Sequence, residues 1–363
     1  MNRGSMEKET FLILIGSLKK GGAERNAAIL ANHLASLGHS VTIALFVKTF
    51  AFALDERVNV VHINHKRYGN AVGNTLYVIA KLRGLVNTLK PKRLIAMSRI
   101  GGLLASCVGF GKTTVRFDSY PLVGYKKYKQ WQFWFFYNLP WVKYVVCPSQ
   151  ELKEDVSPYF IRKSKLVSIY NPIQVPDANS IQAPVAGSRP YFLIVSRLTG
   201  QKNIARVIET FQRFKLHEQV DLTVVGDGPE MENLKALIAR LNLEHCVHLK
   251  GFIANPFPYM QNALVLLNAS LREAFPNVLI ESLSLGTPVI SSNAKTGPKE
   301  IIFPGENGLL FPAGDYEKMG EAMVQVLTNH DLYLHLKKNV SRGLDRFAQE
   351  KVMKSWEQIL INN

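Results

Sequence analysis

The chain has 363 residues, 47% apolar and 10% aromatic, enough for two domains with separate cores and too apolar for a disordered or fibrous protein. Its three cysteines, Cys107, Cys147 and Cys246, lie far apart without a CxxC pair, which disfavours a disulfide framework or a zinc site and suits a reducing cytosol. Of the net charge of +16 nearly all sits in residues 1–180, where 25 Lys and Arg face 10 Asp and Glu; residues 181–363 hold 19 against 18, so the first half is expected to meet something anionic.

No uninterrupted apolar run reaches the 18 or so residues of a spanning helix, and the opening MNRGSMEKET lacks a secretory profile. A soluble or peripheral protein is expected. Phe11–Ile15 reads as a strand buried on both faces, ending at Gly16, and Ala23–Leu37 follows with helical spacing and Gly38 at its end. Strands are predicted at 41–46, 58–63, 94–97, 114–117, 144–147 and 166–169, with helix-compatible segments between most of them. Asn171–Pro190, with four prolines, reads as an interdomain linker. The pattern then restarts: strands at 191–196, 222–226, 247–249, 264–268, 289–291 and 309–311, helices at 204–214, 230–241 and 276–285. The last 45 residues or so look helical throughout, and the final helix is expected to cross back to the first domain. This alternation predicts an α/β protein of two doubly wound parallel sheets, with ligand in the cleft between the carboxyl ends of their strands.

Four motifs carry chemistry. The turn Gly16–Arg25 places Gly21 and Gly22 at a helix N-terminus, where unpaired N–H groups can meet an anion; it is neither GxGxxG nor a P-loop, and a bare glycine-rich turn fits it as well. After strand 191–196, Arg197 and Lys202 can grip a diphosphate, Arg as a fork and Lys as a point charge, although on this motif alone a solvated loop with two surface charges is the commoner explanation. In Glu273-Ala-Phe275-Pro276-Asn277-Val278-Leu-Ile-Glu281, Glu273 precedes a helix whose first turn is expected to hold Pro276. The N–H groups of Asn277 and Val278 suit a phosphate, and Glu281, on an otherwise apolar helix, needs donors such as a vicinal diol. Finally, the Gly226-Asp-Gly turn and Gly251-Phe252 suit backbone contact with a planar base, without being specific.

In this order and spacing, GGAER, SRL…QK, VVGDGPE, KGF, EAFPNVLIE and GTPVIS resemble the retaining nucleotide-sugar glycosyltransferases of the GT-B fold, glycosyltransferase family four. The resemblance spans essentially the whole chain, densest over 191–310, and is nearest to bacterial enzymes that extend lipid-linked or surface polysaccharides. It implies two Rossmann-like domains facing across a cleft: 1–172 toward acceptor and membrane, 173–345 for the nucleotide sugar, and 346–363 as a helix returning to the first domain. Arg197 and Lys202 would hold the diphosphate and stabilise the leaving group. Glu273 would orient the donor sugar and Glu281 bind the ribose diol. Gly21 and Gly22 would approach the donor, and Gly251-Phe252 border the base. Gly226, Phe275, Pro276, Asn277 and Val278 complete the implied substrate-binding set. The donor is expected to carry UDP and a hexose or N-acetylhexosamine. Neither cofactor nor metal is expected, in keeping with the lack of a DxD motif. Two departures stand out: Asp118 falls where many relatives carry a sugar-contacting His, and Ala274 where Gly is commoner. A catalytically silent GT-B scaffold is the alternative, but it would not need Arg197, Lys202, Glu273 and Glu281 together. Charge alone suggests nucleic acid, which no RNA-binding signature or basic helix repeat supports.

On the acceptor side, Tyr125–Tyr137 mixes Lys126, Lys127 and Lys129 with aromatics that include Trp131 and Trp134. Pro140 and Lys143 keep the stretch from spanning a bilayer, and it reads either as a membrane-surface segment or as an ordinary core helix. Each basic residue near an anionic surface contributes about 1 kcal/mol, so this half is expected to attach peripherally to the cytoplasmic membrane face and receive a lipid-linked saccharide.

Overall fold

The structure, a computed structural model, describes residues 7–19, 21–49, 51–63, 70–120, 127–173, 175–176 and 189–361, with backbone alone at 127–130 and 133. The chain divides into two compact units, Met1–Pro172 with Glu350–Asn363, and Ile173–Gln349. Most of the proline-rich stretch expected as a linker (174 and 177–188) lies outside the described residues.

In chain order the first unit contains β1 (Thr10–Ile15), α1 (Gly22–Ser36), β2 (Ser40–Leu45), β3 (Val58–His62), α2 (Ala71–Leu89), β4 (Arg93–Ala96), α3 (Arg99–Val108), β5 (Thr113–Arg116), α4 (Lys127–Asn138), β6 (Val142–Cys147), α5 (Gln150–Val156) and β7 (Leu166–Ser168). All seven strands are parallel, in the order β3-β2-β1-β4-β5-β6-β7. β1 shows why its run is continuously apolar: Phe11, Ile13 and Ile15 enter one buried cluster, and Leu12 and Leu14 enter another on the opposite face.

The second unit contains β8 (Tyr191–Val195), α6 (Ile204–Arg213), β9 (Asp221–Val225), α7 (Met231–Arg240), β10 (Val247–Gly251), α8 (Phe257–Asn262), β11 (Val265–Asn268), α9 (Asn277–Ser284), β12 (Val289–Ser292), α10 (Pro298–Ile301), β13 (Gly308–Phe311), α11 (Tyr316–Thr328) and α12 (His330–Lys338). Its parallel order is β10-β9-β8-β11-β12-β13. The short helices α8 and α10 escaped the sequence reading because six and four residues show no apolar period; a proline in the first turn of each was the available signal.

The C-terminal segment is not helical throughout. Asn329 closes α11 and caps α12, its side chain accepting from the Leu332 amide, and Gly343 leads into a 3-10 turn over Leu344–Phe347. The last helix, α13 (Gln349–Leu360), returns to the first unit. Val352, Met353, Trp356, Ile359 and Leu360 bury themselves in the same cluster as Phe11, Leu30 and Val41. Its outer turn is fixed by Glu357, which bonds His33 Nε2 at 2.7 Å, and its end by buried Arg93, which donates to the Ile359 carbonyl at 3.3 Å.

His39, at the start of β2's approach, is buried against the Phe11 ring and accepts from the Glu9 amide through Nδ1 at 3.3 Å. Burial holds its pKa below the ordinary 6.5, with Lys92 and His33 adding to the effect and Glu9 and Glu357 opposing it. The folded state thus favours neutral His39, and its contribution is present above about 6.5 and lost as the pH falls toward the lower folded value. Between about pH 7 and about pH 5 the thermal midpoint should drop more steeply for the wild type than for His39→Gln; parallel curves would exclude His39 as the cause.

Candidate functional site

In the second sheet the strand order reverses between β8 and β11, and there the connecting loops diverge and leave backbone exposed to a ligand. Arg197 and Lys202 lie in the loop that leaves β8, and Glu273 lies in the loop that leaves β11. Lys202, in a 3-10 turn over Gly200–Lys202, reaches Glu273 Oε1 at 2.5 Å, joining residues 71 positions apart. Two further hydrogen bonds, one backbone and one from a side chain, hold the same loops together: the Leu271 amide donates to the Gln201 carbonyl at 3.0 Å, and Gln201 Nε2 donates to the Arg272 carbonyl at 2.6 Å. Arg197 is exposed, with no hydrogen bond or ion pair to its side chain among the described residues.

The neighbouring loops are bound just as tightly. The Ser196 amide donates to the Val225 carbonyl (3.1 Å), Leu198 to Asp227 (3.0 Å), Glu230 to Leu198 (3.1 Å) and Gly226 to Gly251 (2.8 Å). This stitching explains the glycine at 226: its φ is +146°, and a Cβ there would stand 1.8 Å from the Ser196 carbonyl oxygen. The loops leaving β8, β9 and β10 thereby form one backbone surface, from which Phe252 projects, 51% exposed.

α9 begins at Asn277, so Pro276 caps the helix one position ahead of the first turn expected for it. Leu279, Ile280 and Leu283 point into the core, and Glu281 is half-buried. Asn277 and Val278 form the first turn. Phe275 is buried, its ring edge-on to Phe347 with centroids 5.6 Å apart, so it anchors the loop from beneath. Sequence reading missed Gln201, Ser292, Thr296 and Gly297. For the last three, the Ser-Ser pair that ends β12 and the Thr-Gly-Pro run beyond it were the available signal.

In the first unit Gly21 caps α1, Gly22 opens it, and the Glu24 carboxylate folds back to within 2.2 Å of where a Gly21 Cβ would stand. Asp118, two residues beyond β5, is exposed and accepts from Ser119 Oγ at 3.3 Å. Beside it Arg116 is fully buried, which lowers its pKa to about 10, and it donates to Asn171 Oδ1, which also accepts from Asn26 Nδ2 at 3.0 Å. Of the residues read as membrane-facing, Lys126 lies outside the described residues, and Lys127 and Lys129 are described by backbone alone on α4. Trp131 is 55% exposed, with its ring against Phe135. Trp134 is turned inward, stacked on Tyr159 at 4.5 Å and edge-on to Phe160 and buried Phe117. Trp134 thus packs as the core-helix reading has it, while Trp131 is exposed.

Among the described residues no helix is long and apolar enough to cross a membrane. Residues 20–175 match the family model Glycosyltransferase Family 4, and residues 177–342 match Glycosyl transferases group 1. The chain carries a domain of each of these two glycosyltransferase models. The chain is 33% identical over 202 residues to an uncharacterised glycosyltransferase of Methanocaldococcus jannaschii, an alignment covering 47% of this chain and 49% of that protein. It is 31% identical over 202 residues to the N-acetylgalactosamine-N,N'-diacetylbacillosaminyl-diphospho-undecaprenol 4-alpha-N-acetylgalactosaminyltransferase of Campylobacter jejuni, covering 55% of each. The chain thus spans about half the length of these curated relatives. Anabaena HepE in complex with UDP and glucose superposes with a TM-score of 0.83 at 20% identity, over 97% of this chain and 99% of that one. The fold is GT-B.

The stitched loops give a direct test. Gly226→Ala should destabilise the second unit by at least about 1–3 kcal/mol in denaturant unfolding, because the added methyl group meets a carbonyl oxygen in a backbone region hostile to L side chains. A neutral result would mean that the loop beside Ser196 yields freely.

Proposed function

We propose that this glycosyltransferase moves a hexose or N-acetylhexosamine, with retention of configuration, from a nucleotide sugar to a lipid-linked or glycolipid saccharide during cell-surface polysaccharide assembly. UDP is the favoured carrier. The observation that carries the reading is the Lys202–Glu273 pair at the strand-order reversal, with exposed Arg197 on the same loop as Lys202. An ammonium has three N–H donors, so Lys202 can keep Glu273 while donating to a phosphate oxygen. Arg197 supplies a second, forked cation. As the bond from the anomeric carbon to the phosphate oxygen breaks, both cations offset the charge building on the leaving diphosphate. The acceptor hydroxyl attacks the anomeric carbon from the face the diphosphate leaves, and its proton passes to a departing phosphate oxygen. Glu273 orients the sugar and Glu281 receives the ribose hydroxyls. The two cations meet the charge requirement without a metal or other cofactor.

The acceptor class draws support from the Campylobacter relative, which by its name acts on a diphospho-undecaprenol saccharide, and UDP from the complexes of Anabaena HepE. The basic, carboxylate-poor first half supports docking on the cytoplasmic leaflet, with exposed Trp131 toward the lipid.

Two experiments test this. In a thermal-shift screen with UDP, GDP, ADP and their sugars, UDP compounds should stabilise the protein, by about 2.7 kcal/mol at 100 times the dissociation constant. Lys202→Ala should remove the shift, and a shift that survives would move the diphosphate elsewhere. Replacing Lys126, Lys127 and Lys129 by Glu should abolish binding to vesicles containing phosphatidylglycerol; undiminished binding would place the docking face elsewhere.

A further inference from the structure

The pairing of β11 with β12 does not end where the strands do. Leu266 faces Val289 and Asn268 faces Ser291, and beyond the strands an isolated parallel bridge sets Arg272 against Lys295 at the same spacing of 23 residues. Between these points buried side chains carry the register that backbone amides do not. Asn268 Nδ2 donates to Ser291 Oγ at 3.1 Å, Ser270 Oγ to Asn268 Oδ1 at 2.8 Å, and Ser292 Oγ to the Ser270 carbonyl at 2.5 Å. Past the bridge the Glu273 amide donates to the Lys295 carbonyl at 3.0 Å, and the Thr296 amide donates to the Glu273 carbonyl at 2.8 Å. The hydroxyl of fully buried Thr296 lies 3.0 Å from the Ala274 carbonyl and 3.3 Å from that of Glu273. It has one proton, shared between two acceptors with the shorter contact to Ala274. Gly297 then closes over the loop, at φ +105°, where a Cβ would stand 2.9 Å from Pro276 Cδ.

We propose that Thr296 is a positioning residue for Glu273. Its hydroxyl ties down the carbonyls of Glu273 and Ala274, so the backbone that launches the Glu273 carboxylate toward Lys202 cannot rotate. Ser292 holds the preceding turn in the same way. Thr296 touches no reacting atom and its effect runs through Glu273; the inference therefore rests on the role given to Glu273 above. A buried hydroxyl that holds two backbone carbonyls is spent on geometry, and a displacement of about 1 Å at a reacting group costs up to about 100-fold in rate.

The experiment measures UDP release from whichever of UDP-glucose, UDP-galactose and UDP-N-acetylglucosamine the wild type turns over, beside the thermal shift induced by UDP alone. Thr296→Val, which keeps the shape and removes the donor, should lower kcat about 10- to 100-fold while leaving KM and the UDP shift within about twofold. Thr296→Ser should recover most of the rate. If Thr296→Val does not fold, Ser292→Ala carries the same expectation of reduced kcat and unchanged KM. A rise in KM with kcat intact, or a Ser variant as impaired as the Val variant, overturns the positioning role. Glu273→Gln separates the two levels. Wild-type turnover there defeats the reading of the site itself, whereas loss of turnover there with normal kcat in Thr296→Val defeats only the inference.

Discussion

A parallel strand covered on both faces has little room for charge along its length, so polar chemistry is driven to its ends. β1 sends alternate residues into two separate apolar clusters, and β8, β9 and β11 are as thoroughly buried at their centres. Two buried charges sit at strand ends, Arg93 at the first residue of β4 and Arg116 at the last of β5, and each guanidinium donates to a partner, the Ile359 carbonyl and Asn171 Oδ1. Everything proposed for catalysis follows from this exclusion. Arg197, Lys202 and Glu273 begin just past the carboxyl ends of β8 and β11, where the sheet order reverses.

Loops at such a position must be both accessible and fixed, two demands that conflict because exposed backbone is free to move. Here fixation comes from loop-to-loop hydrogen bonds beneath the surface that a ligand would meet. Ser196, Leu198, Gly226 and Glu230 bind one pair of loops, Gln201 and Leu271 the next, and Thr296 with Glu273 the third. The Lys202–Glu273 bond then joins side chains whose backbones are already held, so its entropy cost falls on the two side chains and not on the loops. A charge-assisted bond between pre-positioned partners gains most of its strength from that preparation.

Much of this was legible in the residues. Strand runs, the restart after the proline-rich stretch and the strand-end placement of SRL…QK and EAF could be read because burial period and turn chemistry are local properties. What resisted reading was non-local. Thr296 looks like one more turn residue until its partners, backbone carbonyls more than twenty positions upstream, are known. Phe275, grouped with the substrate-facing residues, rests on Phe347, a contact no spacing announces. Trp131 and Trp134, three residues apart and so neighbours on one side of α4, differ in fate because the margin of the buried face falls between them, and a helix with aromatics all round gives no clue to where that margin lies. The short helices α8 and α10 failed for a simpler reason, having too few residues to show a period.

The return of α13 bears on how the protein is made. Trp356, Ile359 and Leu360 fill the same apolar layer as Phe11 and Leu30, more than three hundred residues earlier in the chain. On the ribosome the earlier-made unit must therefore wait, one flank unsealed, while the whole of the other unit emerges and folds. Its unsealed flank exposes leucine, isoleucine and alanine side chains of α1 and β1, a surface that a nascent chain must shield until translation reaches its closing residues.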